Sequence, residues 1–166
     1  MGWNGVKTVV AGDAILIEDH NTYVNDNLLA LLTPSQFRVV DAASSYNSTS
    51  TSYTNVNAAL AKTIVMHGGH LLVGASGFLS IANPAASGEL TVAVDGANDI
   101  LIARTGTTGR QVQIAILLDA SLVPGSAGGD TFTISLRFKT TSGSYAVTFA
   151  GNDTGASPIH FWGLEL

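Results

Sequence analysis

The chain has 166 residues, of which only 11% are charged and 46% are hydrophobic; it has no cysteine and a net charge of −5. That length can bury a core in one domain without staples, and with no thiol available neither disulfides nor a thiolate metal site can hold it. The acidic balance and scattered basic residues exclude a nucleic-acid surface. Charge far below the roughly 25% of ordinary domains predicts that some surface is shared between subunits.

In chain order, residues 1–10 read as a short arm with one large aromatic, Trp3. Asp13, Glu18 and Asp19 then precede Val24, Leu28 and Leu31 at helical spacing, and acidic residues at a first helical turn complement the macrodipole. Pro34 stops the pattern, which predicts one short α-helix over residues 17–32. Ile17, Val24 and Leu31 recur every seven residues with Leu28 beside them, a stripe that fits docking on the chain's own sandwich or a short bundle between subunits. No basic segment leads into an apolar run at the start, and no apolar run approaches ~18 residues, so neither a signal peptide nor a membrane span is expected.

From residue 35 onward the pattern changes to strands. A first strand is expected over 36–46, followed by a polar Ser/Thr-rich loop or edge to Tyr53, then strands over 58–66, 70–75 and 77–83. Residues 89–94 alternate and run into Asp95-Gly96, the dipeptide of a type I′ turn, with a return strand over 100–104. Val112, Ile114, Ile116 and Leu118 alternate strictly, as do Phe132, Ile134, Leu136 and Phe138, whose partners Thr131, Thr133, Ser135, Arg137 and Lys139 then face the other way. Further strands are expected over 145–150 and 159–166. The fold class is therefore all-β: a jelly-roll β-sandwich over 35–166, preceded by an N-terminal arm and helix over 1–34.

Candidate chemistry is sparse. His67-Gly68-Gly69-His70 offers two imidazoles, but an extended backbone would point them to opposite faces, and a turn accounts for them. Ser76 lacks the G-x-S-x-G context of a nucleophile elbow, and the glycine-rich stretch 125–129 has no following lysine. Asp95, Asp99, Asp119, Asp130 and Asp153 fall at turns, where carboxylates cap amides, and no EF-hand spacing is present. No enzyme activity, cofactor or metal is expected. Among the aromatics, Tyr145 and Trp162 are expected to alternate into the core, which leaves Tyr46 and Tyr53 as the exposed pair and the candidate glycan contact. In the closing strand, Phe161 and Trp162 must lie on opposite faces, so Phe161, Trp162 and Leu164 divide between core and subunit interface.

The stretch from Ala11 to Leu31, with Gly12-Asp13, the apolar pair Ile15-Leu16 and the ending Asn27-Leu28-Leu29-Ala30-Leu31, resembles the N-terminal segment of many tailed-bacteriophage virion proteins. The remainder is similar to small jelly rolls of the C1q/TNF-like type in phage tail-tip, fibre and head-surface proteins. The matching landmarks are the Thr-rich first loop, the corner Val92-Ala93-Val94-Asp95-Gly96, the entry into the strand over 128–138 and the final Trp162-Gly163-Leu164-Glu165-Leu166. The resemblance implies a homotrimeric, non-enzymatic virion structural protein, made in the host cytoplasm. Trp3, Ile17, Val24, Leu28 and Leu31 would anchor it to other phage proteins of the capsid or tail. A receptor-binding module for host-surface glycan is the alternative.

Overall fold

The period-two alternation of the sequence becomes antiparallel strands throughout a computed structural model that describes residues 34–42, 45–66, 70–106, 109–118, 131–152 and 157–166. They form β1 (Gln36–Asp41), β2 (Ser45–Ser48), β3 (Thr54–Asn55), β4 (Ala61–Val65), β5 (Leu71–Ile81), β6 (Gly88–Val94), β7 (Ala97–Thr105), β8 (Arg110–Leu118), β9 (Thr131–Thr140), β10 (Val147–Ala150) and β11 (Ile159–Glu165). Pairing among the longer strands follows one rule: β1 with β11, β4 with β9, β5 with β8 and β6 with β7. First joins last and second joins next to last, as in one long hairpin. Two further pairings, β11 with β5 and β9 with β6, roll that hairpin into two sheets, the winding of a jelly roll. Sheet I holds β1, β2, β5, β8, β10 and β11; sheet II holds β3, β4, β6, β7 and β9.

Alternation decides what each strand buries. Along β11, Ile159, Phe161, Gly163 and Glu165 are buried while His160, Trp162 and Leu164 are only partly covered. Phe138, Phe149 and Phe161 are the largest fully buried side chains, and they share one core with Leu71, Leu79, Leu90, Ile134 and Leu136 from both sheets. The Phe37 and Phe161 rings meet at 4.9 Å with a 59° tilt, a favourable aromatic geometry that joins β1 to the closing strand. Asp95 and Gly96 both take positive φ, 51° and 69°, the type I′ turn expected between β6 and β7.

Several boundaries differ from the sequence reading. The first expected strand is two, β1 and β2. The strands expected over 70–75 and 77–83 are one continuous strand, β5. Gly77 does not break it, because the glycine serves close packing: a Cβ there would lie 2.5 Å from the Phe149 ring. The strand expected from residue 58 begins at Ala61, after a 3₁₀ turn over Ala58–Leu60 whose Ala59 N–H donates to Asn57 Oδ1 at 2.7 Å. The arm and helix, with Trp3, Ile17, Val24, Leu28 and Leu31, lie outside the described residues, as does His67.

Candidate functional site

The outward faces of the two sheets have opposite character. Sheet II carries the charge. Glu89 on β6 is 5% exposed. It pairs with Arg104 and with Lys139 at 3.3 Å, and accepts a 2.6 Å hydrogen bond from the Tyr53 hydroxyl. Burial disfavours the Glu89 carboxylate, but the hydrogen bonds from Tyr53, Lys139 and Arg104 outweigh it and hold the group below its ordinary range. Arg137 on β9 donates to Asp99 at 2.7 Å and to the Tyr53 carbonyl at 2.6 Å, and Lys139 Nζ lies 4.2 Å from the centre of the Tyr53 ring. Each charge in this cluster answers another in the same cluster. Its effect is to clasp the chain at Tyr53 and β3 onto β6 and β9.

The two tyrosines expected to form an exposed pair are not brought together. Tyr46, on β2 of sheet I, packs against the core and donates to Asp41 Oδ2 at 2.6 Å. That bond, with burial and the Asp41 charge, raises its pKa to about 12. Tyr53 sits at sheet II, its hydroxyl pushed well above the usual phenol range by burial and by the bond to Glu89. Each hydroxyl is committed to a carboxylate within the fold. Tyr145 and Trp162, expected to point inward, do not. Tyr145 is 37% exposed in the turn before β10, and Trp162 takes the outer face of β11 because Phe161 takes the inner one.

Sheet I presents three cross-strand rows outward, read from the register of β1, β11, β5 and β8: Gln36–Leu164–Leu72–Leu117, then Arg38–Trp162–Gly74–Ala115, then Val40–His160–Ser76–Gln113. Across these rows the ionisable groups are Arg38 and His160 alone. Leu117 is 55% and Val40 49% exposed. Between the second and third rows lies a groove of about 560 Å³, lined by Arg38, Ser76, Gln113, Ala115, His160 and Trp162. The Trp162 indole sits in the space where a side chain at Gly74 would begin. Residue chemistry gave no sign of this groove, since it arises from four strands that are far apart in sequence.

Among the described residues no cluster of His, Asp and Glu is arranged to hold a metal ion. No helix among them is long and apolar enough to cross a membrane.

No protein-family model matches the chain, and no curated protein sequence matches it. Among solved structures it is similar to the VP2 subviral particle of infectious bursal disease virus, with 15% identity over 80% of this chain and 37% of that one and a TM-score of 0.45. A mutant VP2 in T=1 particles derived from the same virus aligns at 16% identity over 80% and 36%, with a TM-score of 0.46. The Gx strain of that virus aligns at 15% identity over the same shares, with a TM-score of 0.42. The chain spans little more than a third of those proteins. Likeness at this level bears on neither family nor function, and the fold assignment rests on the strand pairing above.

Proposed function

We propose that this chain is a non-enzymatic virion structural protein of tailed-bacteriophage type, a homotrimeric C1q/TNF-like jelly roll that joins the capsid or tail through its N-terminal segment. The observation that carries the reading is the contrast between the two outer faces. Sheet II is covered by a self-satisfied charge cluster, whereas sheet I offers Leu72, Leu117 and Leu164 in a single row that ends on Gln36 and carries no charge. A row of that kind is the material of a permanent interface, and closed cyclic symmetry lets identical copies bury it together. The resemblance of residues 11–31 to phage virion proteins and the scarcity of charge point the same way.

Light scattering on the purified protein should give about three times 17.1 kDa. Leu117→Glu should shift that mass towards the monomer while the chain keeps a cooperative thermal transition, because Leu117 is exposed within one chain. A clean monomer of the unmodified chain at micromolar concentration would overturn the trimer. Incorporation of the tagged full chain into particles, read in purified virions, tests the location.

A further inference from the structure

We infer that the groove on sheet I is a binding site for an acidic saccharide, a sugar ring that bears a carboxylate. The proposal goes beyond the self-association reading and uses different residues. The groove centres on rows two and four positions along the strands from the leucine row, about 7 Å or more away.

The lining residues supply what such a ligand needs. Trp162 provides an aromatic surface at the groove wall, large, rigid and amphipathic, and it is kept there because Gly74 beneath it has no side chain. Small lining residues, Ala115 and Ser76, leave room beside it. Gln113 and the Ser76 hydroxyl can each donate to and accept from sugar hydroxyls, and the His160 imidazole adds another polar contact. Arg38 is the Cα partner of Trp162 across β1 and β11, so its guanidinium is rooted beside the indole. It is the charge of the site, and no carboxylate lines the groove with it. Sheet II is the opposite case, where Arg104, Arg137 and Lys139 are already answered by Glu89 and Asp99. A guanidinium suits a carboxylate through paired parallel hydrogen bonds, so the acid group is placed at Arg38 and the ring against Trp162. This differs from the Tyr46 and Tyr53 contact expected from the sequence, whose hydroxyls are spent inside the fold.

The experiment uses the full chain carrying Trp3→Phe, so that Trp162 is the remaining tryptophan and its fluorescence reports the groove. D-glucuronate and N-acetylneuraminate are titrated against D-glucose and inorganic phosphate. The expected result is a saturable change with at least one acidic sugar at or below about 10 mM. Glucose should bind about tenfold more weakly, phosphate should fail to displace the sugar, and Arg38→Gln should weaken binding about tenfold. Gln113→Leu, which leaves the charge in place, should also weaken it, and thermal melting verifies that each variant is folded. The proposal is overturned by no saturable response to either acidic sugar, by equal binding of glucose, by full displacement with phosphate, or by binding unchanged in both folded variants.

Discussion

The Trp162 indole occupies the position above Gly74 where any other residue would place its first side-chain atom: a Cβ there would lie 2.1 Å from Cε2 and Cζ2. The closing strand and the central strand of sheet I are thus fitted by a large residue over an empty one. Gly74→Ala should cost about 1–3 kcal/mol in chemical denaturation, the usual range for overpacking. The same substitution in a Trp162→Ala background should cost clearly less, since the ring it strikes is gone. Equal costs in both backgrounds would show that the two residues do not interact.

Phe161 and Trp162 are neighbours in sequence with opposite duties. Phe161 is fully buried against Phe37, so Phe161→Ala should lower stability by about 3–5 kcal/mol, read from urea unfolding. Trp162→Ala removes a partly covered ring from the outer face and should cost less than that. A larger loss for Trp162 than for Phe161 would contradict the assignment of faces.

Glu89 couples stability to acid. Its folded pKa is depressed, so its contribution is fully present above the unfolded value of roughly 4.3 and is lost as pH falls through the folded value. Unfolding free energy measured from pH 6 downward should therefore decline below about pH 4.3 more steeply than in Glu89→Gln. The substitution itself should cost about 1–3 kcal/mol at neutral pH, because it removes the charge that Lys139 and Arg104 pair with and leaves one acceptor oxygen where Tyr53, Lys139 and Arg104 now share two.

Tyr46 gives the alkaline counterpart. With its folded pKa raised to about 12, the stability it contributes is present below the unfolded value of roughly 10 and is lost as pH rises through 12. Ultraviolet titration of the folded protein should show Tyr46 and Tyr53 ionising later than an exposed phenol, and Tyr46→Phe should remove one late step. A single transition for all tyrosines near pH 10 would rule out the two carboxylate bonds.

Removing residues 1–33 should leave a cooperatively folding sandwich. Ser35 already ties the start of sheet I to its closing strand and to β4 of sheet II: its N–H donates to Glu165 Oε2 at 3.1 Å, its carbonyl accepts from Glu165 N–H at 2.8 Å, and its hydroxyl donates to the Val65 carbonyl. A chain starting at Pro34 keeps all three contacts. Differential scanning calorimetry should record one transition, and the loss of that transition would make the N-terminal segment part of the fold.

The fold class and most strand positions were legible in the order of residues alone. A period of two is a local property, so residues 110–118 and 131–140 announce which side chains share a face before any partner strand is known. Asp95-Gly96 was legible for the same reason, since a two-residue turn with positive φ depends only on the residues in it. What each face meets depends on contacts between strands distant in the chain. Residues 70–75 and 77–83 read as two strands in sequence, yet they join in one continuous strand in which Gly77 leaves the space that Phe149, seventy-two residues later, needs. Tyr46 and Tyr53 read as a polar-loop pair, and their carboxylate partners Asp41 and Glu89 place them on separate sheets. The groove between Arg38, Trp162 and Gln113 was equally hidden. It exists because antiparallel register sets β1, β11, β5 and β8 side by side, and register is fixed by the packing of the buried face rather than by the residues that line the exposed one.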